Sequence, residues 1–187
     1  MHQDLVSQFK LKYETLAGIV HLAKNEDAAA AVVLQIVKTV QSRHVALGAL
    51  PEPLLTSIAE ACTADGIAVL KPPFDNCKLP DAIDAAQVGV SWAALAVAET
   101  GCLIEFATDD ALRLVSALPR IHVGIFYARD LLATHKEAAA PIRKFFFENS
   151  RNATVTLISG PSRTGDIEMR LTLGVHGPEI ARAVVLG

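Results

Sequence analysis

Two short stretches near the C-terminus concentrate the residue types that bind anions and move protons. The first, Gly160-Pro161-Ser162-Arg163-Thr164-Gly165-Asp166-Ile167-Glu168, puts glycine, two hydroxyls and a cation into a turn expected to open a helix. Unpaired N–H groups at a helix start carry partial positive charge and attract anions. Ser162 and Thr164 add hydroxyl donors, and Arg163, the one cation of residues 160–164, adds a planar fork suited to carboxylate or phosphate. Thr164 can equally cap that helix and do nothing more. Asp166 precedes Arg170 by one helical turn, the spacing of a surface salt bridge. The second stretch, Gly174-Val175-His176-Gly177-Pro178, holds one imidazole in a constrained backbone. There it serves as acid, base or donor near neutral pH, or simply ties the turn to nearby carbonyls. Glu99, ahead of Thr100-Gly101, either faces a site or turns a hairpin. His21, His44 and His122 sit in strand-like stretches and read as core or sheet-end residues, His2 and His135 as solvated ones. No histidine pair has metal-ligand spacing on a helix.

For these segments to act together, a scaffold must bring them to one edge. Residues 18–23, 44–48 and 67–70 read as short strands, 88–98 and 102–107 as strands joined through Glu99-Thr100-Gly101, and 121–127, 153–159 and 183–186 as further strands. Asn25, followed by Glu26 and Asp27, opens a helix with Ala29, Val32, Val33, Ile36, Val37 and Val40 on one face. Residues 53–64, 109–117 and 130–149 read as helices, the last bent near Pro141. The proline-bounded stretch 71–80 is a rigid flap or a plain connection. This alternation predicts a single-domain α/β fold, a mostly parallel sheet flanked by helices with right-handed crossovers. In such sheets ligands sit beyond the carboxyl ends of the strands. The strand over 153–159 is therefore expected to carry residues 160–164 to that edge, faced by His176 and Glu99.

Composition excludes whole classes. The chain has 187 residues, 51% of them hydrophobic and 20% charged, with a mean hydropathy of +0.35. Disorder is excluded, because so apolar a chain can offset its entropy by burial, and the length fits one domain. Seventeen Lys and Arg against twenty Asp and Glu leave a net charge of −3, without the basic excess that nucleic-acid binding requires. The N-terminus lacks the apolar core of a signal peptide. The uncharged stretch 85–98 is broken by Gln87, Gly89 and Ser91 and is shorter than the roughly 20 residues of a membrane span. Cys62, Cys77 and Cys102 form no CxxC pair. They argue against a disulfide framework or an intrinsic zinc or iron–sulfur site, and for reduced, buried thiols in a cytoplasmic protein. No P-loop, nucleophile-elbow or dinucleotide-binding glycine motif is present.

Taken together, Ala98-Glu99-Thr100-Gly101, Leu118-Pro119-Arg120-Ile121-His122, the run from Ser159 to Glu168 and Gly174-Val175-His176-Gly177-Pro178 resemble the LUD-domain family, also called the LutC/YkgG lactate-utilisation family. The resemblance covers residues 17–187 and leaves 1–16 as an N-terminal helical arm, shorter than in many relatives. It implies the fold shared by sugar-phosphate isomerases and CoA-transferases, the NagB/RpiA/CoA-transferase-like fold. It also implies a subunit or accessory protein in the oxidation of L-lactate to pyruvate. Two iron–sulfur partner proteins would carry the clusters, leaving this chain without a cofactor of its own. On this basis Glu99, Asp166 and His176 are candidate catalytic positions. Gly160, Pro161, Ser162, Arg163, Thr164, Gly174 and Gly177 are candidate positions for a small carboxylate or phosphate. The alternative is a stand-alone enzyme of the isomerase/CoA-transferase superfamily acting on a small anion, with Glu99 or Asp166 as base or nucleophile and His176 assisting.

Overall fold

A computed structural model describes residues 2–75, 78–165 and 171–187, with only the backbone at His2. The apolar strands β1 (Ile19–Ala23), β2 (His44–Leu47), β3 (Ala68–Leu70), β4 (Val88–Trp92), β7 (Ile121–Tyr127) and β12 (Ile180–Leu186) form a six-stranded sheet. Its order is β1-β12-β7-β4-β2-β3, and every pairing is parallel. Helices α2 (Glu26–Thr39) and α3 (Glu52–Ala64) cover one face. Val33, Ile36, Leu54 and Ile58 pack there on Val45, Val90, Val123 and Val184. Asn25 caps α2 as its side chain predicts, accepting the Ala28 N–H at 2.9 Å.

The opposite face is covered by a second sheet, which corrects the expectation of one continuous strand over 88–98. The chain breaks at Ala93-Ala94, and β5 (Leu95–Val97) leaves the parallel sheet to pair with β6 (Cys102–Ala107); with β8 (Leu131–Leu132) and β9 (Thr154–Ile158) they form a sheet in the order β8-β5-β6-β9. The Glu99-Thr100-Gly101 turn is too short for a crossover, so β5 and β6 run antiparallel. The expected strand over 153–159 forms as β9 (Thr154–Ile158), but it pairs antiparallel to β6 and does not extend the main sheet. Residues 130–149 also divide. β8 (Leu131–Leu132) comes first, and α6 (His135–Glu148) starts only where Thr134 and Glu137 form a capping box.

Period-two alternation along β6 sorts its side chains between layers. Cys102, Ile104 and Phe106 face Ala138 and Ile142 of α6, whereas Leu103 faces the parallel sheet. Gly124 of β7 permits that approach, since a Cβ there would lie 2.4 Å from Leu103 Cδ1. Helix α1 (His2–Thr15) joins this middle layer, with Phe9 and Tyr13 fully buried beside Leu103, Phe126 and Ala183. Helices α4 (Asp81–Asp84) and α5 (Asp110–Ala117) flank the same face, α5 capped by Asp109, which accepts the Ala111 N–H at 2.7 Å. No helix among the described residues is long and apolar enough to cross a membrane.

Candidate functional site

Three polar side chains meet in the largely apolar space between the sheets. Ser91 of β4 and His122 of β7 point toward the second sheet, and Glu105 of β6 meets them from the other side. Their exposures are 5%, 1% and 6%. The Ser91 hydroxyl donates to Glu105 Oε1 and lies 2.7 Å from His122 Nε2, which is 3.3 Å from the same carboxylate oxygen. Burial by itself pushes the Glu105 carboxyl up; hydrogen bonds with His122, Ser91 and Ser116 outweigh it and hold the group below its ordinary value. An ionised carboxylate only accepts, so His122 must carry a proton on Nε2. Nδ1, the other ring nitrogen, is buried with no hydrogen-bond partner among the described residues.

His122 also forms part of the wall of a cleft of about 460 Å³. Helix α5 contributes Arg113 and Ser116, the end of β9 leads in through Ser159 to Gly160, and His176, Gly177 and Pro178 close the other side. Gly160 takes φ +113 and passes so near helix α1 that a Cβ would lie 2.7 Å from the Leu16 carbonyl. Only glycine holds that path without strain. Ser162 fastens the two walls: its N–H donates to the Pro178 carbonyl at 2.9 Å, and its carbonyl accepts the Gly174 N–H at 3.0 Å. Arg113 is fixed from behind. Its Nη2 donates to Asp110 Oδ1 at 2.8 Å and to the Asn152 carbonyl at 3.3 Å, as well as to the Asn152 side chain. Its Nε is buried without a partner among the described residues. The cleft thus gathers two of the buried polar atoms that lack partners, one cationic donor and one imidazole nitrogen.

The sequence-predicted residues divide. Gly160, Ser162, His176 and Gly177 line the cleft, with Pro161 buried behind the loop and Gly174 hydrogen-bonded to Ser162. The expected helix start is corrected. Arg163 and Thr164 form a two-residue strand, β10, antiparallel to β11 (Thr172–Leu173), so these two residues do not open a helix; residues 166–170, where that helix would run, lie outside the described residues. Arg163 is exposed and donates to the Leu16 carbonyl, so it does not line the cleft. Glu99 does not line it either: its carboxylate accepts the His135 N–H at 3.0 Å at the start of α6. Asp166 and Glu168 lie outside the described residues. The expected edge is corrected as well. The cleft opens at the amino ends of β7 and β12, because β9 belongs to the other sheet and delivers its loop there.

Sequence reasoning missed Arg113 and Ser116, and read His122 as an ordinary core residue. It takes Ser91 only as a break in an uncharged stretch and gives Glu105 no role. The available signal was their placement within near-continuous apolar strands, Glu105 in Cys102–Ala107 and His122 in Ile121–Tyr127. Cys62 and Cys102 are buried and free; burial and Asp65 push the Cys62 thiol up to about 11. Cys77 lies outside the described residues. No group of three or more His, Cys, Asp or Glu among the described residues is placed to hold a metal ion.

The family model for the LUD domain matches residues 6–186. Among curated proteins, a lactate utilization protein C from Shouchella clausii is 35% identical over 112 residues, covering 60% of this chain and 49% of that protein. One of the same name from Bacillus subtilis is 32% identical over 108 residues, covering 55% and 43%. These matches span about half the length of the relatives, or less. A crystal structure of a DUF162 family protein from Deinococcus radiodurans superposes with a TM-score of 0.71 over 100% of this chain and 99% of that one, at 21% identity. That likeness establishes a shared α/β fold.

Proposed function

The chain belongs to the LUD-domain family, and from that premise we propose that it serves lactate-related metabolism by holding a small carboxylate in the cleft between α5, β9 and β12. The observation that carries this reading is Arg113. Asp110 and Asn152 hold one end of the guanidinium, and the buried Nε is left for an anion. Ser162 and His176 supply further polar groups on the opposite wall. The name that the curated relatives carry supports lactate or its oxidation product as the carboxylate. Within this reading the chain is a subunit or accessory protein in the oxidation of L-lactate to pyruvate. Iron–sulfur partner proteins carry the electron-transfer clusters. The fold shared by sugar-phosphate isomerases and CoA-transferases is part of the same reading.

Calorimetric titration with L-lactate, pyruvate, inorganic phosphate and a sugar phosphate tests it. L-Lactate and pyruvate are expected to bind, and Arg113→Ala to weaken them by about 1.5–3 kcal/mol, the range for a hydrogen bond to a charged group. Arg163→Ala should leave them unchanged, since its guanidinium is turned to the Leu16 carbonyl. Equal binding by wild type and Arg113→Ala overturns the assignment. Binding and turnover of a sugar phosphate or CoA ester by the single chain would favour the isomerase or transferase alternative. Affinity capture from the source cell, with cluster detection in what co-purifies, tests the partners.

A further inference from the structure

We propose that His122 reads the oxygen on the carbon next to the bound carboxylate, and that Glu105 and Ser91 are positioning residues that fix the imidazole tautomer for this purpose. The inference rests on the carboxylate reading above and adds the residue that tells a monocarboxylate with a hydroxyl at C2 from one without it. His122 lines the same cleft as Arg113, but its Nε2 is already committed to Ser91 at 2.7 Å and Glu105 at 3.3 Å. The carboxylate can only accept, so Nε2 donates, and a neutral ring keeps its lone pair on Nδ1. A buried nitrogen without a partner is costly to maintain. A ligand hydroxyl donating to Nδ1 would satisfy it, while Arg113 holds the carboxylate. The surrounding layer is largely apolar, with Leu103, Phe126 and Ala181 in the same cluster, and Tyr13 adds a further buried hydroxyl without a partner among the described residues. A serine and a glutamate placed behind a histidine are the arrangement that selects one tautomer and one ring orientation.

Two measurements test this without relying on turnover. The first compares L-lactate with propionate, which keeps the carboxylate and lacks the C2 hydroxyl. Wild type should prefer L-lactate by roughly tenfold, in line with one added hydrogen bond to a buried group. His122→Gln should lose the preference while still binding both acids through Arg113. Its amide can donate to Glu105 in place of Nε2, but it offers no lone pair in place of Nδ1. The second is ¹⁵N–¹H NMR of the imidazoles in the wild-type chain, which depends on no variant folding. The His122 signals should show a protonated Nε2 and an unprotonated Nδ1. L-Lactate should shift the Nδ1 signal and propionate should not, and Glu105→Gln should mix the tautomers. Equal affinity for the two acids in wild type, or a proton on Nδ1, overturns the inference and leaves the carboxylate reading standing. Failure of every monocarboxylate to bind overturns the carboxylate reading, and the inference with it.

Discussion

Glu105 illustrates how one residue couples the two sheets. A carboxyl group buried between layers would ordinarily take up a proton, because burial disfavours its charge. Here His122, Ser91 and Ser116 reverse that balance and hold it ionised. The sign of the resulting pH dependence follows. A carboxyl that titrates lower in the folded chain than its ordinary 4.5 gives its full stabilisation above that value. The contribution is lost as pH falls through the folded-state value. Urea unfolding across the acid range should therefore show wild type losing stability below about pH 4.5, and Glu105→Gln should lack that part of the slope. Glu105→Ala, which strands His122 and Ser91 without a partner, should cost about 1–3 kcal/mol for each group left unsatisfied at neutral pH.

At the scale of elements, helix α6 explains what Glu99 does in this fold. Its carboxylate accepts the N–H of His135, one of the amides that a helix start leaves unpaired, and Thr134 and Glu137 complete the cap. A carboxylate at that end is also favoured by the helix dipole. Glu99→Ala should then lower stability by about 0.5–2 kcal/mol and leave the affinity for L-lactate unchanged. A large loss of affinity at unchanged stability would return Glu99 to the site. Element pairing also explains the unexpected edge of the cleft. Because β9 runs antiparallel to β6, its end arrives beside the starts of β7 and β12, and Ser162 locks that meeting through Pro178 and Gly174.

The whole molecule is layered: α2 and α3, the parallel sheet, the four-stranded sheet with α1 and α5, and α6 outside. The middle layer is filled from both ends of the chain, since Phe9 and Tyr13 cluster with Ala181, Ala183 and Val185; Phe9 stacks on Tyr13 at 5.4 Å and meets Phe126 edge-on at 5.1 Å. Phe9→Ala should cost about 3–5 kcal/mol, the range for emptying an aromatic core site. Far-ultraviolet dichroism and Trp92 fluorescence should shift together, as they do when a chain unfolds as one cooperative unit. Separate transitions for the two signals would mean that the sheets unfold independently.

The sequence by itself determined the elements whose signals are local. Asn25 and Asp109 mark helix starts because a side-chain oxygen reaches an amide two or three residues on, and the buried strands show as apolar runs. It also marked Gly160, Ser162, His176 and Gly177, where glycines and a proline restrict the backbone around polar groups. Only the tertiary structure decided which sheet each strand joins, because an apolar run such as residues 88–98 reads the same whether it stays in one sheet or crosses to another at Ala93-Ala94. It alone decided the chemistry of the cleft as well. Ser91, Glu105, Arg113 and His122 are spread over four elements, and a lone polar residue in an apolar strand is indistinguishable from a satisfied core residue until its partners are in place. Which of two arginines faces the cleft was a matter of tertiary contacts too. Asp110 and Asn152 hold Arg113 in its wall, and the Leu16 carbonyl takes Arg163 away from it.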